Sequence, residues 1–249
     1  MNGELAQLLE LTICAKYYLK TGEVFEINQS YVGSIHFHFL PQARLIGTKK
    51  VTAGSVSDWL RELAKRVPQE IGFYGHTKSS DRNITGFSNA VKDWTLFVRY
   101  PQHCSCWLRN WQFDQDEKQW IINYTEAQAG GYPAPQFPDT TDRFLETLCA
   151  ITALAEELEQ PHFAKMFADA AGLLAGEITP PPRYPMLPER NQLLLAAANA
   201  AWVFGAMGSW NDSPPYIAQI KKLIVEYEKL SADLYRDLMA AIIFAVNEW

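Results

Sequence analysis

The stretch Ser105-Cys-Trp-Leu-Arg-Asn-Trp-Gln-Phe-Asp-Gln-Asp-Glu-Lys-Gln-Trp-Ile-Ile-Asn-Tyr124 decides the fold class. Two runs rich in aromatic and β-branched residues, 105–113 and 119–124, flank the charged turn Asp114-Gln-Asp-Glu-Lys118. Such side chains suit a pleated, half-buried surface, and a short polar connection lets two strands pair antiparallel. The spacing predicts a hairpin. Outward from it, Trp94–Tyr100 reads as a strand and Ile71–Tyr74 as a short one. Ser34-Ile-His-Phe-His-Phe-Leu40 alternates, which marks a strand. Pro41 is expected to end that strand, with Arg44–Val51 as its hairpin partner.

Two helices accompany these strands. In residues 3–20, Leu5, Leu8, Leu9, Ile13 and Tyr17 recur near the helical period, and Leu11, Cys14 and Tyr18 broaden the stripe. Ser55 or Ser57 can cap a second helix through Arg66, with Val56, Trp59, Leu60 and Leu63 on one face. Residues 76–90 are polar and rich in Gly, Ser and Asn, and read as a loop.

The texture changes at Ala127–Pro138, where Gly130, Gly131, Pro133, Pro135 and Pro138 gather. A domain boundary is expected there. Beyond it the pattern is helical. One helix starts at Thr140 or Thr141, Pro161 restarts another, and Glu189–Phe204 forms a third. A further helix opens at Pro214-Pro215 and runs to Trp249 or restarts at Ser231. The fold class is α+β: an antiparallel sheet with flanking helices over 1–137, then an all-helical region of about five helices over 138–249.

Composition narrows the function classes. The 249 residues carry a net charge of −6, with 48% hydrophobic and 20% charged residues. Residues 1–137 hold 14 Lys/Arg against 13 Asp/Glu, and residues 138–249 hold 8 against 15. A net −7 in the second half argues against nucleic acid as partner, because phosphate binding needs clustered cations. No run approaches the roughly 20 apolar residues of a membrane span. The opening residues lack a basic region and carry Glu4 and Glu10, unlike a signal peptide. Cys14, Cys104, Cys106 and Cys149 are too sparse for a disulfide scaffold, so reduced thiols and a cytoplasmic location are expected.

Several patterns touch chemistry. His36 and His38 stand two apart on a strand and share a face; with His76 or His103 they could offer three nitrogens to a metal ion. An alternating strand explains the same spacing, with Phe37 and Phe39 turned to the core. Cys104 and Cys106 also share a face, and buried thiols explain them. Glu159-Gln-Pro-His162 matches a carboxylate–histidine metal motif, but Pro161 disrupts its helical spacing and no second copy exists. The chain has no nucleophile elbow, P-loop, dinucleotide fingerprint or His-Glu-x-x-His. No cofactor is implied.

Trp202-Val-Phe-Gly-Ala-Met-Gly-Ser-Trp-Asn-Asp212 has the most unusual local composition. Gly205 and Gly208 suit a bend, and Asn211, Asp212 and Ser213 suit the cap of the next helix. It reads as a rigid corner between helices whose exposed edge, Trp210, Asn211 and Asp212, could form a contact site. With the following Tyr227, Leu230, Ser231, Leu234 and Tyr235, this stretch resembles a motif in small uncharacterised bacterial proteins. That resemblance spans the last quarter of the chain and implies no activity. Size, acidity and cytosolic character are similar to those of immunity proteins of bacterial toxin systems. The expected function is non-catalytic binding of a protein partner, with toxin neutralisation as one form. The alternative is a metal-dependent hydrolase using His36, His38 and His103. Oligomeric state is not legible.

Overall fold

The computed structural model of the chain describes residues 1–27, 30–43, 48–75, 78–130, 137–179 and 183–249. Its elements are α1 (Gly3–Thr21), β1 (Val32–Ala43), β2 (Thr48–Ala53), α2 (Val56–Lys65), β3 (Glu70–Tyr74), a 3-10 turn (Ser79–Asn83), β4 (Thr95–Arg99), β5 (Cys104–Asp114) and β6 (Gln119–Ala129). The helices α3 (Thr141–Glu157), α4 (Pro161–Leu174), α5 (Glu189–Ala200), α6 (Pro214–Ile220) and α7 (Ile224–Asn247) follow. The class is mixed α+β. Among the described residues no helix is long and apolar enough to cross a membrane.

The chain divides into two compact units. The sheet unit holds Ala6–Tyr74 and Lys92–Pro135; the helical unit holds Met1–Leu5, Gly75–Val91 and Gln136–Trp249. The sequence suggests a single cut near residue 137. The structure adds two earlier segments to the helical unit, and one of its cuts falls inside α1.

The sheet has six strands in the order β2-β1-β6-β5-β4-β3. The hairpin β5–β6 is in continuous register from Cys104 opposite Ala129 to Asp114 opposite Gln119. Lys118 closes its turn with φ 53, a left-handed position. β1 lies parallel to β6, with Phe37 opposite Tyr124, and this is the one parallel pair among the described residues. Local pattern cannot reveal that pairing, because it joins residues more than eighty apart.

One sheet face is aromatic and buried. Trp59 of α2 stacks on Phe37 at 4.8 Å, and Trp107 meets Trp59 edge-on at 5.7 Å. Each such pair adds roughly 0.5–1.5 kcal/mol beyond area burial. Gln7 of α1 accepts a hydrogen bond from the Tyr124 hydroxyl at 2.8 Å on the same face. Ser55 caps α2 by accepting the Asp58 amide at 3.1 Å, which satisfies one of the free N–H groups of the first turn.

Four expectations are corrected. Pro41 does not end β1; the strand continues to Ala43 through a register shift between Phe39 and Gln42. A proline lacks a ladder donor, and such an irregularity is where a strand tolerates one. The partner β2 runs from Thr48, and Arg44–Gly47 lie outside the described residues. β6 runs on to Ala129, past the expected stop at Tyr124.

The helix expected over 189–204 stops at Ala200. The chain then extends, with the Trp202 indole donating to the Phe204 carbonyl at 3.0 Å and the Trp210 amide to the Val203 carbonyl at 3.0 Å. The helix opening at Pro214 breaks after Ile220, and α7 begins at Ile224. Lys222 stands at φ 64 in that break. A left-handed residue cannot continue a right-handed helix.

Candidate functional site

The corner at 202–212 is built inward from Trp210. Its ring is fully buried, with Phe163 and Phe167 of α4 edge-on at 5.2 and 5.3 Å. Its Nε1 donates to the Ser231 hydroxyl of α7 at 2.7 Å, and the Tyr227 hydroxyl donates to its carbonyl at 2.6 Å. Burial pushes the Tyr227 hydroxyl up to about 12. Trp210 therefore adds no exposed aromatic surface, contrary to the expected exposed edge.

Asn211 is half-buried and donates through Nδ2 to the Arg82 carbonyl at 2.8 Å. Asp212 is exposed, but its Oδ2 accepts the Gly208 amide at 2.8 Å. Ser213, at the cap position of α6, makes no side-chain cap bond. The polar cluster thus closes the loop on itself and on residue 82, and does not cap the next helix. Of the two glycines, Gly208 alone has positive φ, at 79.

Large apolar side chains are exposed on the corner and on the two helices that follow it in the chain. Met207 is 94% exposed and Val225 82%. Tyr216 and Ile220, one turn apart on α6, are also exposed. Phe87 is exposed on the loop whose Gly86 approaches the Gly205–Ala206 backbone. Ile217 of α6 is half-buried, and Ile220 faces out.

The histidines fall in two places. His36 and His38 lie on the sheet face opposite the aromatic core, with ring centroids 6.5 Å apart. His38 Nε2 is 3.3 Å from Asn123 Oδ1, and Nδ1 is 3.3 Å from Thr52 Oγ1. His103 is exposed and stacks on Tyr100 at 4.7 Å.

His38 pairs with Thr125, and Thr125 with Leu108. Leu108 and Cys104 are four residues apart on β5, so roughly 13 Å of strand separates the histidine pair from the start of β5, next to His103. One metal ion cannot bridge that span. Among the described residues no three His, Cys, Asp or Glu side chains converge on a metal position. His76 lies outside the described residues.

Glu159 sits at φ 57 and pairs with Lys221 at 2.6 Å, which lowers its carboxyl below the ordinary range. His162 is on α4, beyond that turn. The two share no helix face.

A polar centre at the rim of the sheet unit has no counterpart in the sequence reading. Glu126 of β6 is 3% exposed, and four donors surround it. The Ser105 and Tyr100 hydroxyls donate to Oε1 at 2.7 and 3.0 Å. The Leu40 amide and Arg66 Nη1 donate to Oε2 at 3.0 and 3.3 Å. Arg66 also caps the Phe39 ring at 4.3 Å. Burial, then the neighbouring Glu126 charge, pushes the Tyr100 hydroxyl well above its usual range.

The signal for this centre was parity. Ile122, Tyr124 and Glu126 alternate onto one buried face, and a carboxylate at a core position demands partners. Ending the strand at Tyr124 hid it. Above Glu126 opens a cleft of about 590 Å³, lined by Leu40, Pro41, Arg66, Tyr100, His103 and Gln128 among others.

Compared with known proteins, the chain matches no family model, no curated protein and no solved structure.

Proposed function

We propose that the protein is a non-catalytic protein-binding module that docks its partner on the helical unit. Its particular form is an immunity-type protein that neutralises a bacterial toxin. One observation carries the docking reading: Met207, Tyr216, Ile220 and Val225, all between 207 and 225, are large apolar side chains at 63–94% exposure. Exposed apolar side chains favour a protein contact, because covering them releases ordered water. Trp210, Asn211 and Asp212 serve this surface from beneath and beside it. They hold the loop that presents Met207, and Asp212 stands at its polar margin. The net −7 of residues 138–249 suits a partner of opposite charge, since long-range complementarity speeds association.

The test is affinity capture from a bacterial lysate with three baits: wild type, Met207→Asp and Ile220→Asp. Both substituted side chains are exposed, so the melting temperature stays close to wild type. A partner held by wild type and lost by both variants supports the reading. Identical capture by all three overturns it. The toxin-neutralising form is checked by co-expressing the captured partner: it stands if the partner alone arrests growth and wild type restores it.

The hydrolase alternative through His36, His38 and His103 has no supporting geometry among the described residues.

A further inference from the structure

We propose that the cleft above Glu126 is a binding site for a small organic carboxylate, seated on Arg66 with its apolar body against Leu40, Pro41 and the Tyr100–His103 pair. This site is in the sheet unit and is independent of the protein-docking surface.

The first argument is the state of Arg66. Its side chain is 9% exposed. Nη1 is occupied by Glu126 Oε2 and the Leu40 carbonyl, each at 3.3 Å. Nε and Nη2 are buried and make no hydrogen bond. The nearest carboxylate on that edge, Glu62, stands 3.9 Å from Nε, beyond hydrogen-bond reach. A buried donor without an acceptor costs about 1–3 kcal/mol, and more when charged. The Nε and Nη2 hydrogens of a guanidinium point the same way and match the two oxygens of a carboxylate. Nε and Nη2 are closed off as the side chain stands, so an anion entering the cleft that Arg66 lines would engage them by turning the guanidinium edge outward.

The second argument is the charge of the walls. Among the described residues no Asp or Glu lines the cleft, although the chain as a whole is acidic. A neighbouring depression beyond the 100–103 turn is lined by Arg99, which pairs with Glu70 at 3.0 Å, and again by His103 and Gln128. Glu126 lies below and does not repel the ligand strongly, because both its oxygens are already held by two donors each. Arg66 and neutral polar groups therefore line the opening, while the nearby carboxylates, Glu126 and Glu62, lie against Arg66 and outside the lining.

The third argument selects an organic anion over an inorganic one. Leu40, Pro41 and Pro101 give apolar walls, and the His103 ring stacked on Tyr100 adds a flat aromatic surface. At about 590 Å³ the cleft has the size of small-molecule sites, which pair apolar walls with a few placed polar groups. A phosphate ion would leave those walls wet.

The experiment titrates the 15N-labelled full chain with sodium benzoate, with sodium phosphate and sodium chloride in parallel. It follows the arginine side-chain Nε–H resonances by NMR, together with the backbone amides of Gln102, His103 and Gln128, which line the cleft and report affinity in every variant. The Arg66 signal is identified by its loss in Arg66→Lys. That variant keeps the charge opposite Glu126 but removes the fork. His103→Ala and Gln128→Ala change exposed side chains and leave the fold intact. Benzoate is expected to shift the Arg66 resonance saturably. Affinity should fall about tenfold or more in Arg66→Lys, as expected for losing a charge-assisted bond, and several-fold in His103→Ala. Absence of a saturable shift overturns the proposal. So does an equal response to phosphate, or benzoate affinity unchanged in Arg66→Lys, His103→Ala and Gln128→Ala.

Discussion

The indole of Trp210 and the hydroxyl of Ser231 are joined by a fully buried 2.7 Å hydrogen bond that ties the 202–212 corner to α7. The bond explains two features together. It places a polar serine at zero exposure inside a helix, and it holds a large ring whose N–H would otherwise be orphaned. Trp210→Ala should cost about 3–5 kcal/mol, because it empties the space between Phe163, Phe167 and Tyr227. Ser231→Ala should cost about 1–3 kcal/mol, the penalty of an unpartnered buried N–H. Urea denaturation of the two variants measures both. Equal, small losses would mean that the corner is not packed on this ring.

The Gly86 backbone presses on the corner from the other side. A Cβ built there would meet the Ala206 nitrogen at 2.7 Å and the Gly205 carbonyl carbon at 2.8 Å. Both are backbone atoms and cannot swing away. Gly86→Ala should lower the melting temperature by several degrees, as expected for about 1–3 kcal/mol of overpacking. It should also open the 75–91 segment to proteolysis. Gly3→Ala meets nothing within 4 Å and is the control.

Breaking the Glu126 centre should be more costly than its area suggests. Glu126→Ala leaves Arg66 buried without its counter-charge, and a broken buried pair costs about 3–5 kcal/mol. Glu126→Gln keeps the shape and one acceptor and should cost less. Chemical denaturation orders the variants: wild type, then Gln, then Ala.

Alkaline pH should destabilise the protein in a defined window. Burial pushes the Cys14 thiol from its ordinary 9.0 up to about 12, and the nearby Glu10 charge adds to this. The unfolded thiol then loses its proton at lower pH than the folded one. Stability is full below the unfolded value and falls as pH rises from about 9 toward about 12. Tyr227, raised to about 12, adds to the upper part of that window. Cys14→Ala should flatten the slope of unfolding free energy against pH. An unchanged slope would mean that the thiol ionises alike in both states.

Much of the fold was legible because it is local. Aromatic and β-branched alternation gave β5 and β6, helical spacing gave α1 to α4, and the glycines and prolines after Ala127 gave the change of texture. What escaped is non-local or depends on a competing contact. Helix α5 ends at Ala200 because Trp202, Val203 and Phe204 gain partners in the corner. The α6–α7 break rests on Lys222, and nothing about a lysine announces a left-handed conformation. His36 and His38 share a face as their spacing says, but their distance from His103 follows from the β1–β6–β5 register.

The sequence by itself determined the class of the molecule: a sheet region with flanking helices, a helical region of about five helices, an acidic second half, and aromatic and histidine residues at known spacings. Periodicity and composition carry that information, since each element must turn its own apolar stripe inward. Only the tertiary structure decided which unusual residues face outward. It buried Trp210, exposed Met207 and Ile220, and gathered Leu40, Arg66, Tyr100, Ser105 and Glu126 from separate elements into one centre. Burial is a property of what packs against a residue, and those neighbours lie tens of residues away along the chain.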